Sequence, residues 1–237
     1  MIQALRFTAD DRPVLGALAL PPGDAPAGAV ILVHEWYGLN DDMRRLAGRF
    51  AAEGFIALAV DLYDGRVAAD APEAMQLSSA LKTPDAVRII AAAAEALRAL
   101  PRSNGKVAVT GFCLGGAMAI AAACGVPDLA AAVPFYGIPR AEYVDWSRCE
   151  TPILGHYGAK DPIIAMERPQ ALADAARAAG RSFELHLYDA GHAFMREADD
   201  AVYDAPSAAQ AWERTVAFLR ERLGSTLTPR RRASAPR

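Results

Sequence analysis

Residues 106 to 117 read Lys-Val-Ala-Val-Thr-Gly-Phe-Cys-Leu-Gly-Gly-Ala, an apolar run that ends in Gly111-x-Cys113-x-Gly115 and passes straight into small helix-forming residues. The pattern is strand, sharp turn, helix, with a thiol at the apex where a nucleophile elbow carries its attacking residue. Such a turn strains the backbone of the apex residue, demands small neighbours and projects the apical side chain into the open. Amides at the start of the following helix then face the sulfur, which favours thiolate and the oxyanion formed when it attacks a carbonyl. The same residues also describe a Gly-rich turn with a small buried cysteine as packing, because free cysteines are mostly buried and inert. A base and an acid elsewhere in the chain separate the two readings.

With four histidines the search for a base is short. His186 alternates with Leu185 and Leu187 in a strand pattern and reads as a packed or surface strand residue. His156 ends an apolar strand and reads first as a satisfied core histidine. His192 lies in Ala190-Gly191-His192-Ala193-Phe194, a Gly-marked loop directly after a strand. Ligands of open α/β sheets bind beyond the carboxyl ends of strands, so His192 is the favoured base. For the group that orients the imidazole, Asp161 follows strand 152 to 157; an aspartate in such a loop is otherwise a turn former. Asp189 is the weaker competitor, because it would end the strand that precedes His192. The chain order 113, 161, 192 resembles that of nucleophile, acid and base in α/β hydrolases.

Val33-His34-Glu35-Trp36-Tyr37-Gly38 closes an earlier strand, where that arrangement supplies its second oxyanion donor. The donors would be the backbone amides of Leu114 and Trp36. His34-Glu35 also begins like a zinc-binding helix, but Gly38 stands where the second histidine would be, so no metal site is expected. Glu35 reads either as a loop carboxylate facing solvent or as a group that reaches the thiol and controls its protonation.

The elements that must position these residues are apolar runs of strand length alternating with helical patterns, as in βαβ units around a mostly parallel sheet with helices on both faces. Strands are expected at 13 to 20, 29 to 33, 55 to 60, 106 to 110, 130 to 135, 152 to 157 and 183 to 188, the first as a possible antiparallel edge. Helices are expected at 40 to 53, 72 to 81, 84 to 100, 114 to 124, 167 to 179 and 207 to 223. Ala91 to Ala94 would let their helix pack closely on the sheet. A chain of 237 residues, 53% hydrophobic, suffices for one large α/β domain over residues 1 to 223. Residues 224 to 237, with Arg230, Arg231 and Arg232, read as a disordered basic tail.

A net charge of −3 gives no reason to expect nucleic acid or an anionic membrane surface. Three cysteines without CxxC spacing argue against a disulfide framework and fit a reducing cytoplasm. The apolar stretch at 13 to 20 follows Asp10, Asp11 and Arg12 and is too short to span a bilayer, so neither export signal nor anchor is expected.

His34-Glu35-x-x-Gly38, Asp61-Leu62-Tyr63, Ser103-Asn104-Gly105-Lys106, Gly111-x-Cys113-x-Gly115-Gly116, Asp161 and Gly191-His192-x-Phe194-x-Arg196 together resemble the dienelactone hydrolase family over residues 5 to 223. The resemblance implies an α/β-hydrolase fold without a lid domain that opens a small lactone or enol ester through Cys113, His192 and Asp161. No cofactor is expected, and the protein is expected as a monomer or small homo-oligomer. It also implies that Glu35 meets the resting cysteine and helps form thiolate, and that Arg196 holds a substrate carboxylate. Tyr37, Tyr63, Tyr136 and Phe194 are pocket candidates that read equally as packing aromatics. Two departures stand out: Ala71, Glu73, Ala74 and Met75 offer no second substrate-binding arginine, and Ala193 replaces a serine after the histidine. Arg88 is a substitute for the missing charge only if its helical face is not simply solvated. A general carboxylesterase and a non-hydrolytic thiol sensor or ligand-binding protein are the alternatives.

Overall fold

The computed structural model describes residues 2–224. Its frame is one eight-stranded sheet in the order β1-β2-β4-β3-β5-β6-β7-β8. The strands are β1 (Ile2–Ala9), β2 (Arg12–Ala19), β3 (Ala27–Val33), β4 (Ile56–Val60), β5 (Ser103–Phe112), β6 (Leu129–Phe135), β7 (Ile153–Gly158) and β8 (Phe183–Tyr188). From β4 to β8 all neighbours pair in parallel, whereas β2 runs antiparallel to both β1 and β4.

The parallel strands are buried on both faces, as their unbroken apolar runs require. Ala29, Ile31 and Val33 of β3 point into one hydrophobic layer while Val30 and Leu32 point into the other. The first layer is completed by α2 (Ala71–Ala80), α3 (Thr83–Arg98), α4 (Leu114–Gly125) and α5 (Glu167–Ala178), the second by α1 (Asp41–Ala52) and α6 (Ala205–Leu223). Ala93 and Ala94 of α3 are fully buried in the first layer, the close approach expected of the alanine run. Helix α1 starts where the Asn40 side chain accepts the Met43 amide at 3.1 Å, and α6 where Asp204 accepts that of Ser207 at 2.9 Å. Gly224, left-handed at φ 69°, ends α6. The segments joining β6 to β7 and β8 to α6 hold no helix beyond the 3-10 turn Ala141–Tyr143. Among the described residues no helix is long and apolar enough to cross a membrane.

One expectation is corrected. The strand read at 13 to 20 is antiparallel but not an edge; β1, absent from the sequence reading, forms the edge as a hairpin with it. Asp10 and Asp11, both at positive φ (47° and 61°), make the two-residue turn that such hairpins favour. The first five residues of β1 are not buried, so its alternation carried little hydrophobic contrast. The tail read at 224 to 237 lies, beyond Gly224, outside the described residues.

Candidate active site

Strand β5 ends in Phe112 and α4 begins at Leu114, leaving Cys113 between them at φ 52°, ψ −112°. Its amide donates to the Phe135 carbonyl at 3.0 Å, which ties the elbow to β6. The glycines around it answer to close backbone approach. A methyl on Gly115 would run into the carbonyl oxygens of Val33 and His34, and one on Gly137 into that of Cys113. Gly115→Ala is therefore expected to cost about 3 kcal/mol, the upper range for overpacking, and to lower Tm by roughly 6–12 °C in a thermal melt. A melt within two degrees of the parent would refute the close approach.

Cys113 is half-buried rather than enclosed as a packing residue. His192 Nε2 lies 3.1 Å from Cys113 Sγ, and His192 Nδ1 lies 2.7 Å from Asp161 Oδ2. The other Asp161 oxygen accepts the amides of Ile163 and Ile164 at 2.8 and 3.0 Å. Three groups from the ends of β5, β7 and β8 thus form one chain of hydrogen bonds. Burial opposes charge on His192, but its bonds to Asp161 and Cys113 and their negative charge outweigh it and push the imidazole up to about 9. Burial likewise opposes ionisation of Asp161, yet the bonds from His192 and from the Ile164 and Ile163 amides hold its carboxyl below the usual carboxylate range. The arrangement suits a thiolate facing an imidazolium.

Leu114 opens α4, so its amide belongs to the unpaired first turn of that helix, while Trp36 lies in the loop after β3. That loop is held by a residue whose part sequence reasoning missed. His34 is fully buried, its Nδ1 2.6 Å from the Glu35 carbonyl and its Nε2 accepting the Leu62 amide at 3.2 Å. Burial pulls its pKa down and keeps the ring neutral, as this donor and acceptor pair requires. The clamp joins the β3 and β4 loops beneath the site. Its signal was position: His34 ends a buried strand immediately before Glu35.

Glu35 does not meet the thiol. Its Oε2 accepts from Arg196 Nε at 2.8 Å and lies 2.6 Å from an Arg196 Nη, while Oε1 is buried without a hydrogen-bond partner among the described residues. The carboxylate expected at the cysteine and the guanidinium expected at a substrate carboxylate are instead paired with each other, because opposite charges this deeply placed satisfy one another in the free protein. Arg196 also lies 5.6 Å over the Tyr37 ring, and Tyr37 packs edge-on against Trp36.

Of the other aromatics, Tyr136 is buried at φ 36° with its ring 5.1 Å from that of His192. Burial, helped by Glu35 and Cys113, pushes its phenol up. Tyr63 is buried edge-on against His34, and its hydroxyl has no hydrogen-bond partner among the described residues. Phe194 is a correction: at 0% exposure, packed on Tyr136 and Tyr188, it belongs to the core rather than to a pocket wall.

The remaining candidates fall away from the site. His156 is a core histidine between Tyr188 and Thr215, at 2.8 and 3.0 Å. His186 pairs with Glu184, and Asp189 pairs on the surface with Lys160 at 2.8 Å. Arg88 bonds to Asp10 and Asp85 on a solvated face. Cys124 and Cys149 are buried, free thiols. Met75, near the start of α2, is exposed.

A family model described as the dienelactone hydrolase family matches residues 15–223. Among curated proteins, Protein usf of Aquifex pyrophilus is 33% identical, covering 94% of this chain and 100% of its own length. The carboxymethylenebutenolidase of Pseudomonas putida is 30% identical over 92% of this chain and 96% of its length. Among solved structures, a dienelactone hydrolase-like promiscuous phosphotriesterase from metagenomic libraries superposes with a TM-score of 0.84 at 28% identity, covering 94% of this chain and 99% of that one.

Proposed function

Because the chain belongs to the dienelactone hydrolase family, we propose that this hydrolase opens small lactones or enol esters through Cys113, His192 and Asp161. The observation that carries the reading is the unbroken hydrogen-bond chain from the Cys113 sulfur through His192 to Asp161. His192 Nε2 takes the thiol proton and the thiolate attacks the ester carbonyl carbon. The amides of Leu114 and Trp36 hold the oxyanion. Collapse of the tetrahedral adduct breaks the carbon–oxygen bond, His192 returns its proton to the departing oxygen, and a thioester remains. Water, deprotonated by the same imidazole, resolves it to the carboxylic acid and free thiol. Enol leaving groups suit this chemistry, because a poorer leaving group lets the adduct expel the thiolate instead. No step calls for a cofactor.

A substrate carboxylate would compete with Glu35 for Arg196. Glu35, so released, would assist His192 in bringing the thiol to thiolate when such a substrate arrives. Arg196→Gln keeps a donor beside Glu35 but loses the bidentate charge; KM for a carboxylate-bearing lactone should rise about 10- to 100-fold, while KM for p-nitrophenyl acetate changes by less than about threefold. Equal rises for both would show that Arg196 is structural.

The second reading, a general carboxylesterase, is favoured by the pairing of Arg196 with Glu35 and by Met75 near the place of a second arginine. Hydrolysis of cis- and trans-dienelactone beside p-nitrophenyl acetate, by the parent and by Cys113→Ala, decides between them. Cys113-dependent opening of a dienelactone supports the lactone reading, whereas Cys113-dependent cleavage of the simple ester alone supports the other.

A further inference from the structure

An open cavity lies between α1 and the segment 195–198. Neither Cys113 nor His192 lines it; the Glu35–Arg196 pair, Tyr136 and Phe112 are common to this cavity and the surroundings of the catalytic group. Three guanidinium groups reach it: Arg45 and Arg49 from α1, and Arg196. Arg45 pairs with Asp42, Arg49 with Glu197, and Arg196 with Glu35 and, at 3.5 Å, with Asp199; these partners differ in how firmly they are held. Glu35 and Arg196 are 13% and 18% exposed in their side chains, and separating them would strand a buried charge. Glu197, 2.5 Å from Arg49, is 54% exposed, and an exposed ion pair yields to a competing anion at little cost. The Arg49 guanidinium is further held 4.3 Å over the Trp212 ring, so it stays in place when its carboxylate leaves. Met43, Leu46 and Met195 supply an apolar floor beside these charges.

We propose that this cavity is a second ligand site for an amphipathic monocarboxylate, whose carboxylate replaces Glu197 on Arg49 and whose apolar body lies on Met43, Leu46 and Met195. A monoanion fits better than a dianion, because Glu35, Asp42 and Glu197 also line the cavity and repel excess negative charge. The acid released from an uncharged ester with an apolar acyl group belongs to this chemical class. The site itself stands on the cavity and does not depend on the ester-cleaving reading.

Benzoate is the probe, titrated calorimetrically into the full-length protein. The expected Kd is on the order of 1 mM, as for a small ligand with one charged contact. Benzamide, isosteric and uncharged, should bind at least about tenfold more weakly. Leu46→Trp, which fills the cavity, should weaken benzoate at least about tenfold while p-nitrophenyl acetate turnover stays within about twofold. Ala198→Trp fills it from the other wall and serves the same end if Leu46→Trp does not fold. Protein alkylated at Cys113 with iodoacetamide, its catalytic cleft blocked, should bind benzoate as the parent does. The proposal is overturned if alkylation abolishes binding while Leu46→Trp keeps it, since benzoate then sits in the catalytic cleft. Equal affinity for benzamide, or no heat up to about 20 mM benzoate, also overturns it. Loss of ester turnover in all proteins would count against the proposed reaction and leave these binding results intact.

Discussion

Cys113→Ala is expected to lower kcat/KM for p-nitrophenyl acetate by about 10⁴-fold or more, with Tm within a few degrees of the parent. The size follows from the step that is lost: without sulfur no thioester forms, and only binding and the oxyanion amides remain to assist water. The small change in stability follows from the site. Cys113 is half-buried at positive φ, and alanine neither removes a large packing volume nor adds strain that cysteine lacks. Cys113→Ser should also fail, by about 10²-fold or more, because a hydroxyl does not give up its proton to this imidazole as a thiol does. Mass spectrometry of acid-quenched parent enzyme should find one acyl group on the peptide that contains Cys113. Parent-like turnover by Cys113→Ala in pure protein would end the covalent mechanism.

Asp161→Asn should lower kcat by roughly 10²- to 10⁴-fold, because it inverts the donor pattern around His192. The Ile163 and Ile164 amides both donate to Oδ1 and so keep the side-chain oxygen of an asparagine on their side. Its NH₂ then points at His192 Nδ1, which must accept. The proton moves to Nε2, and the ring no longer takes one from the thiol 3.1 Å away. In the parent, turnover of esters with poor leaving groups should fall above about pH 9, where His192 loses the proton it must donate, whereas p-nitrophenyl esters should be spared. In Asp161→Asn that alkaline limb should move toward neutral pH, since the carboxylate helps hold the imidazole up at about 9. Stability follows the same linkage. A histidine raised from 6.5 to about 9 stabilises the fold fully below 6.5 and loses that contribution as pH rises through 9. An aspartate lowered from 3.8 stabilises above 3.8 and loses its contribution in acid. The Tm difference between parent and Asp161→Asn should therefore be largest between pH 4 and 6.5 and shrink toward pH 10. A difference independent of pH would show that Asp161 acts only through packing.

Much of this architecture was readable one residue at a time. β8 (Phe183–Tyr188) matches its expected span, and the other parallel strands match within a few residues, because strands buried on both faces carry an unbroken apolar signal. The hairpin strand β1 was not readable, because a mostly exposed edge strand shows little of that signal. Phe194 stayed open between pocket and packing for a related reason. An aromatic next to a catalytic loop looks the same in sequence whether it faces substrate or the core, and only its packing on Tyr136 and Tyr188 separates the two. His34 was noticed for a metal pattern it does not complete, while its work is to clamp two loops by joining the Glu35 carbonyl to the Leu62 amide, 28 positions beyond the histidine.

Neighbouring residues alone are enough to specify the elbow, the family and the chemical types available at the strand ends. These depend on local sterics, such as the absence of a Cβ on Gly115, and on hydrophobic period, both of which are written in neighbouring residues. Which charged groups face each other was decided only by the tertiary structure. Glu35 and Arg196 are separated by 161 positions, and nothing in their local surroundings distinguishes a carboxylate that meets a thiol from one that meets a guanidinium. Coulombic pairing depends on distance and burial in the folded chain, and those exist only once the loops after β3 and β8 have been brought to the same end of the sheet.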